Sequence, residues 1–308
     1  MTLDADMAAA MTTQADLITR DGGKPADAAG ERAQQARLAP FWNEGAPSVA
    51  GVEELSIPGA VPLRARLFRP TLERTPIVIF VHGGGWRHGS IDTTEWHSRA
   101  LAAGSGLAVL AISYRLAPEH PFPAGLDDVT NAIRWCAAGG LGPGLDHTKI
   151  LLSGASAGAN LALAATLRLR DEGGPAPRGL ALYYGVFGDD LETESYRAFG
   201  DGRFGLSQAG MQAYFEAYLP AGHRPHDPYV APLHASLAGL PPTWLGVAEL
   251  DVLRDDSLLM DRRLRDVDVS VETQHYPGLV HGFCGRARMV PAARQAIVDG
   301  AGFLARCV

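Results

Sequence analysis

Hydrophobic and polar residues follow two patterns along the chain from residue 52 onward. Residues 52–57 and 63–68 alternate apolar with polar side chains, which predicts an antiparallel pair of strands with one face in water. Residues 77–81 are continuously apolar, as in a strand that is covered on both faces. Similar apolar runs recur at 107–113, 150–153, 180–184, 243–247 and 269–276. The chain is therefore predicted to contain about eight strands.

Helical stretches separate most of these strands. They cover 127–137, 157–170, 255–267 and, after the last strand, 292–305. Strands and helices that alternate in this way form right-handed crossovers between parallel strands. The predicted fold class is therefore α/β, with a mostly parallel sheet, helices on both faces and the opening strand pair as an antiparallel edge.

Two segments do not fit this alternation. Residues 1–45 are polar and alanine-rich, and a glycine pair at 22–23 divides them into two predicted short helices. Their scattered apolar residues indicate docking on something larger, with a free tail as the alternative. Residues 188–236 are too long for a plain connection, and only 207–219 are predicted to be helical. We expect these two segments to form a cap over a catalytic core of 46–187 and 237–308.

Composition limits the classes of function. Hydrophobic residues make up 46% of the 308 residues, enough to bury a core and to exclude a wholly disordered protein. The net charge of -7 does not favour a surface that collects phosphate groups, so we expect no nucleic-acid partner.

The cysteines and the N-terminus bear on location. Cys136, Cys284 and Cys307 show no CxxC spacing and leave one cysteine unpaired in any disulfide scheme. Asp4 and Asp6 lie where a signal peptide would need basic residues. The apolar runs are also shorter than the roughly 20 residues that span a bilayer. We therefore expect a cytoplasmic protein with no membrane span.

A serine at the end of an apolar strand is the most informative feature. Residues 150–153 run into Gly154-Ala155-Ser156-Ala157-Gly158, and a helical stretch follows. A sharp strand-to-helix turn holds a serine oxygen at the edge of the sheet, and close backbone packing there requires a glycine two residues away on each side. Ser156 is therefore the predicted nucleophile, although GxSxG alone also arises in ordinary glycine-rich turns.

A glycine-rich loop, His82-Gly83-Gly84-Gly85-Trp86, follows the strand at 77–81. Backbone N–H groups of such a loop can stabilise the oxyanion that forms when serine attacks a carbonyl carbon. Gly83 and Gly84 are the predicted donors, with Ala157, the residue after the nucleophile, as the third. A phosphate-binding loop is the competing interpretation, and it is disfavoured because no GK[ST] or GxGxxG pattern follows.

A serine nucleophile needs a neutral imidazole to accept its proton. His281 is the predicted base because it follows the last strand, and strand ends of a parallel sheet meet at one edge. His275 is expected inside a strand, and His82 is expected to make a local hydrogen bond in the glycine loop. Three further histidines lie in the 188–236 insertion without an HExxH arrangement, so we expect no metal site there. They are His223, His226 and His234.

The base in turn needs a carboxylate that orients it. Asp251 is predicted for this role because it lies in the loop after the strand at 243–247, and Glu249 is the alternative if the strand extends further. Asp255 and Asp256 are expected to begin a helix, where acidic side chains accept hydrogen bonds from free N–H groups.

The chain order Ser156, Asp251, His281 is the order of an α/β-hydrolase catalytic triad. Together with the HGGG loop and the GxSAG turn, it resembles the hormone-sensitive-lipase-like family of α/β-hydrolase esterases. The likeness runs from about residue 76 to the C-terminus and includes residues 114–124, YRLAPEHPFPA. The sequence departs from the family pattern at several positions: Ala155 and Ala159 stand where the family often has Asp and Gly, Ser113 where it often has Asp, and Val252 where it commonly has Pro.

The resemblance implies a serine hydrolase that cleaves carboxylic esters of short to medium acyl chains, with a small helical cap and neither a metal nor an organic cofactor. Two alternatives stay open. One is a formamide or amide hydrolase of the kynurenine-formamidase type, and the other is a ligand-binding protein on an inactive hydrolase scaffold. A homodimer formed through the sheet edge or the last helix is compatible with such folds.

Overall fold

The computed structural model describes residues 2–224 and 226–308. Within these residues eight strands form one sheet. The strands are β1 (Gly51–Ile57), β2 (Leu63–Arg69), β3 (Thr75–Val81), β4 (Ala108–Ile112), β5 (Leu145–Ala155), β6 (Leu180–Tyr183), β7 (Thr243–Leu250) and β8 (Val271–Val280). Their order across the sheet is β1-β2-β4-β3-β5-β6-β7-β8.

The strand pairing follows the pattern of apolar residues. β1 pairs antiparallel with β2, and β2 antiparallel with β4, whereas all later neighbours run parallel. β3 lies between β4 and β5, and its residues 77–81 are fully buried. β1 lies at the edge, and most of its side chains are exposed or partly exposed. The predicted α/β class, with its mostly parallel sheet and antiparallel edge, is confirmed.

The helices flank this sheet in two layers, with α3 packed on α9 and α4 packed on α5. The helices are α1 (Ala5–Arg20), α2 (Ala28–Asn43), α3 (Glu95–Ser105), α4 (Ala124–Ala137), α5 (Ala157–Asp171), α6 (Glu194–Phe199), α7 (Gln208–Tyr218), α8 (Arg254–Arg265) and α9 (Pro291–Arg306). In the 188–236 segment, α7 was predicted but α6 was not. No helix of the described chain combines the length and apolar character needed to cross a bilayer.

The N-terminal helices are docked on the core. Met7 and Ala10 of α1 are buried, and the Asp4 N–H donates to the Gly278 carbonyl in β8 at 3.0 Å. Trp42 of α2 donates its indole N–H to Gln14 of α1 at 2.7 Å, which joins the two helices. The alternative of a free tail is therefore wrong.

The parallel strands bring four loops to one edge of the sheet. β3 leads into the glycine loop, β5 into Ser156, β7 into Asp251 and β8 into His281. β7 extends through Glu249 to Leu250, further than the sequence pattern indicated, so Asp251 is the first residue beyond the strand. Residues from distant parts of the chain therefore meet at this edge.

Candidate active site

Ser156 occupies a strained turn between β5 and α5. Its backbone has φ 55° and ψ -122°, a conformation that costs an ordinary residue about 1–3 kcal/mol. The Ser156 N–H donates to the Tyr183 carbonyl of β6 at 2.9 Å, which holds the turn in register with the sheet. The turn leaves the side chain only 7% exposed, beside the cavity described below.

Two glycines permit this turn. A Cβ atom on Gly158 would lie 2.1 Å from the Val81 carbonyl oxygen, and one on Gly154 would lie 2.4 Å from the Gly158 carbonyl oxygen. Both distances are far below van der Waals contact, so the start of α5 can pack against the end of β3 only without these side chains. The close packing predicted from the GxSxG spacing is confirmed.

Ser156, His281 and Asp251 form a continuous hydrogen-bonded line. The His281 Nε2 atom lies 2.9 Å from Ser156 Oγ, and its Nδ1 atom lies 2.7 Å from Asp251 Oδ2. Because a carboxylate can only accept, Nδ1 carries the hydrogen towards Asp251, and a neutral ring then accepts the serine hydrogen at Nε2. This arrangement can remove a proton from the Ser156 hydroxyl.

The structure positions the Asp251 carboxylate, and not that of Glu249, to bind His281. Asp251 is 2% exposed, and its other oxygen accepts the Leu253 N–H at 3.0 Å, which fixes the carboxylate. Glu249 instead accepts the Gly278 N–H at 2.8 Å, next to a register irregularity between β7 and β8. The structure therefore brings Asp251, and not the alternative Glu249, to His281.

The glycine loop packs directly against the nucleophile. A Cβ on Gly83 would lie 2.7 Å from the Ala155 carbonyl oxygen and 3.2 Å from the Ser156 Cβ. Gly84 adopts φ 123°, which side chains rarely allow, and both glycines line the same cavity as Ser156. Ala157 is the first residue of α5, so its N–H has no acceptor inside the helix. The three predicted donors thus lie around Ser156.

Two other buried histidines support the site without joining this line. His82 donates from Nδ1 to the Gly83 carbonyl at 2.9 Å, which is the local hydrogen bond expected from the sequence. Its ring also stacks on Tyr114, with 4.4 Å between the ring centres. His97 packs edge-on against Tyr183. Burial lowers the pKa of His82 to about 4 and that of His97 to about 3. Both rings are therefore neutral at ordinary pH.

A cavity of about 370 Å³ opens beside Ser156 and His281. The helices outside the predicted core supply part of its wall, through Trp42 of α2 and Met211 and Tyr214 of α7. Sequence reasoning did not single out these three residues. Their only signal is that they lie in the two segments that break the strand and helix alternation.

A cluster of possible metal ligands lies outside this cavity. Asp189, His226 and His234 place one ligand atom each within 4.8 Å of one another. Both histidines contact the Asp189 carboxylate, at 3.1 Å and 2.9 Å, and both are exposed. The sequence analysis looked for an HExxH spacing and so missed this cluster. Its aspartate, Asp189, lies 37 residues before His226 in the chain.

Asp255 and Asp256 begin α8 as expected, but they bind N–H groups outside that helix. Asp256 is 2% exposed, and its Oδ2 accepts the N–H groups of Phe187 and Gly188, each at 2.8 Å. Asp255 accepts the Ser195 N–H at 2.7 Å. The two carboxylates therefore attach the start of the 188–236 segment to the core.

The carboxyl group of Asp256 makes stability depend on pH. Burial raises the pKa of Asp256 to about 7, and the negative charges of Asp251 and Asp255 add to this effect, while the two N–H groups oppose it. An unfolded aspartate titrates near 3.9, so the folded state binds the extra proton between about pH 4 and pH 7. The free energy of unfolding should therefore fall as pH rises through this range and level off above it.

Asp256→Asn removes this proton and should flatten the pH dependence. Between about pH 5 and pH 8, we expect the free energy of unfolding, measured with urea, to fall by about 2–3 kcal/mol less in the variant than in the wild type. Asp266→Asn, at an exposed position at the end of the same helix, should keep the wild-type slope. Parallel curves for wild type and Asp256→Asn would contradict this account.

Comparison with known proteins agrees with the geometry. A family model described as alpha/beta hydrolase fold matches residues 78–285. Carboxylesterase NlhH of Mycobacterium tuberculosis is 36% identical over 256 residues, which cover 81% of this chain and 80% of that protein.

Solved structures extend the likeness to nearly the whole chain. The hyperthermophilic esterase from the archaeon Pyrobaculum calidifontis has a TM-score of 0.91 at 31% identity and covers 99% of both chains. Ester-hydrolase EH1AB1 from the metagenome of Lake Arreo has a TM-score of 0.92 at 31% identity, again over 99% of both chains. The N-terminal helices and the 188–236 segment are therefore within the matched fold.

Proposed function

Since the chain belongs to the hormone-sensitive-lipase-like family of α/β-hydrolase esterases, we propose that it hydrolyses carboxylic esters through an acyl-enzyme intermediate on Ser156. The family, its curated relatives and the solved esterases make it a carboxylesterase. The serine mechanism rests on one observation, the hydrogen-bonded line from Ser156 through His281 to Asp251.

In the first half of the reaction, Ser156 Oγ attacks the ester carbonyl carbon while His281 Nε2 takes the hydroxyl proton. The carbonyl oxygen becomes an anion, and the N–H groups of Gly83, Gly84 and Ala157 donate to it. His281 then gives its proton to the leaving alcohol as the bond between carbon and alcohol oxygen breaks. The acyl group stays on Ser156 as an ester.

In the second half, water takes the place of the serine hydroxyl. The water oxygen attacks the acyl carbon while His281 accepts a proton from that water. His281 returns the proton to Ser156 Oγ when the acid leaves. Asp251 remains ionised throughout, keeps the ring orientated and stabilises its positive form. The Ser156 proton thus leaves with the alcohol, and a proton from water replaces it through His281.

We further propose that residues 1–45 and 188–236 form the cap and limit the acyl chain to short and medium lengths. The cavity, at about 370 Å³, lies near the lower end of the roughly 300–1,000 Å³ common for small-molecule sites. Trp42, Met211 and Tyr214 close it from the cap side. The cytoplasmic location and the homodimer stay predictions.

A fluorophosphonate probe tests the mechanism. We expect it to label one serine, in the tryptic peptide 150–168, and to abolish hydrolysis of p-nitrophenyl acetate in proportion to labelling. Fragmentation of the peptide should place the label on Ser156 and not on Ser153, and Ser156→Ala should stay unlabelled. If the probe does not label the protein and the protein hydrolyses no ester, the ligand-binding alternative is favoured.

The same preparation tests the substrate class. Across p-nitrophenyl esters from acetate to palmitate, we expect kcat/KM to be highest among short and medium chains. A kcat/KM for N-formylkynurenine that exceeds that for every ester would favour the formamide hydrolase. A maximum at palmitate would contradict the proposed limit on chain length.

A further inference from the structure

The active-site cavity has an unbalanced charge. Among the described residues that line it, Arg286 is the one arginine, lysine, aspartate or glutamate. The rest of the wall consists of glycines, aromatic and aliphatic side chains, amides, hydroxyls, two histidines, a methionine and a cysteine. The cavity therefore carries a fixed positive charge, and no lining carboxylate balances it.

Arg286 is positioned by both the core and the cap. It ends the short 3₁₀ turn Phe283–Arg286 that follows His281, so it lies five residues after the proposed base. Its guanidinium carbon lies 4.3 Å from the centre of the Trp42 ring of α2, which lines the same cavity. A planar guanidinium that stacks on an aromatic ring keeps its edge free to bind an anion in two-point fashion.

The hydrogen bonds of Arg286 leave this edge largely unused. Within residues 2–224 and 226–308, Arg286 donates one hydrogen bond, from Nη1 to the carbonyl of the adjacent Gly285 at 3.2 Å. The same part of the chain places no carboxylate within ion-pair distance of it. Burial lowers the pKa of Arg286 to about 10, with the Tyr184 hydroxyl acting in the opposite direction, so the group stays positive at neutral pH.

Arg288 shows what a purely structural arginine looks like here. It too stacks on a ring of α2, with its guanidinium carbon 3.9 Å from the centre of Phe41. In contrast to Arg286, it pairs with the Glu44 carboxylate at 2.7 Å and donates to the Phe41 carbonyl at 2.7 Å. The cap is therefore fastened by an arginine that has its own counter-charge, and Arg286 has none.

A partly buried cation without a counter-charge is costly, and an anion that enters the cavity offsets that cost. We propose that the preferred ester substrates carry a carboxylate, which pairs with Arg286 while the ester carbonyl lies at Ser156. This inference rests on the proposed ester hydrolysis and names its substrate class. The carboxylate belongs either to the acid part or to the alcohol part of the ester.

Two pairs of esters, each with the same chain length and branching, separate these two sources of the carboxylate. Monoethyl glutarate carries the carboxylate on the acid side, and its neutral counterpart is ethyl 5-methylhexanoate. Acetoxyacetate carries it on the alcohol side, and its neutral counterpart is isobutyl acetate. We expect the wild-type ratio of kcat/KM, charged over neutral and measured by proton release, to exceed one in at least one pair. That pair identifies the side of the ester on which the carboxylate lies.

Arg286→Gln should lower the ratio in that pair by about 10- to 100-fold, because a charge-assisted, two-point hydrogen bond is lost. Arg286→Lys should recover part of the ratio, since it keeps the charge without the planar fork. Arg288→Gln is the matched control. It removes an arginine that likewise stacks on a ring of α2 but does not line the cavity, and it should leave the ratio at the wild-type value.

Two results would overturn this assignment. One is an equal loss for charged and neutral esters in Arg286→Gln, which would make Arg286 a structural contact of the cap. The other is a wild-type enzyme that prefers the neutral ester in both pairs. Either leaves ester hydrolysis intact, whereas a wild type that cleaves none of the four esters contradicts the proposed function itself.

Discussion

Ser156→Ala is expected to lower kcat/KM for p-nitrophenyl acetate by roughly 10⁴- to 10⁶-fold. The alanine keeps the size and burial of the turn but has no oxygen to attack the carbonyl carbon. Any residual rate would come from the N–H groups around the site and from substrate binding. The release of p-nitrophenolate under pseudo-first-order conditions measures the change.

Ser153→Ala is the matched control for this prediction. Ser153 lies in β5, the strand that leads into Ser156, and is fully buried; its hydroxyl donates to the Ala181 carbonyl at 3.0 Å instead of to a histidine. We expect its loss to cost about 1 kcal/mol of stability, seen in urea unfolding, with little change in kcat/KM. Wild-type hydrolysis by Ser156→Ala would show that another group is the nucleophile.

The fold could be predicted from the sequence because the burial of a strand determines its pattern of apolar and polar residues. Residues 77–81 of β3 are covered on both faces and form an unbroken apolar run, whereas β1 at the edge is mostly exposed and mixes apolar with polar residues. Helix α6 lacks such a mark. It has six residues and is held by contacts from α8, such as Asp255 to the Ser195 N–H, which lie 60 residues away in the chain.

The sequence predicted those site residues whose positions are determined by the end of a strand. Ser156 and His281 each follow a strand directly, and parallel strands deliver both to one edge. Glu249 stayed an alternative because the end of β7 could not be placed to within three residues. The structure separates the two acids through the Gly278 N–H, which binds Glu249 across the strand pair.

Contacts between distant segments were out of reach of sequence reasoning. The cluster of Asp189, His226 and His234 depends on how one long loop folds back on itself. The charge balance of the cavity depends on which arginine meets a carboxylate. Arg286 and Arg288 are two residues apart, and nothing in their neighbouring sequence tells that Glu44 pairs with only the second.

Asp251→Asn is expected to lower kcat by about 10⁴-fold. The amide has nearly the shape of the carboxylate and can still accept the Leu253 N–H, so we expect the fold to survive. It has no negative charge to stabilise the positive His281 ring, and it no longer holds the hydrogen on Nδ1. Hydrolysis of p-nitrophenyl acetate at saturating substrate measures the effect.

Glu249→Gln provides the matched comparison, because it makes the same chemical change two residues away. Its side-chain oxygen can still accept the Gly278 N–H, and it lies outside the hydrogen-bonded line to His281. We therefore expect kcat to stay within about threefold of wild type, which corresponds to less than about 0.7 kcal/mol in the barrier. If Glu249→Gln lost about 10⁴-fold and Asp251→Asn kept its activity, Glu249 would be the acid that orientates the base.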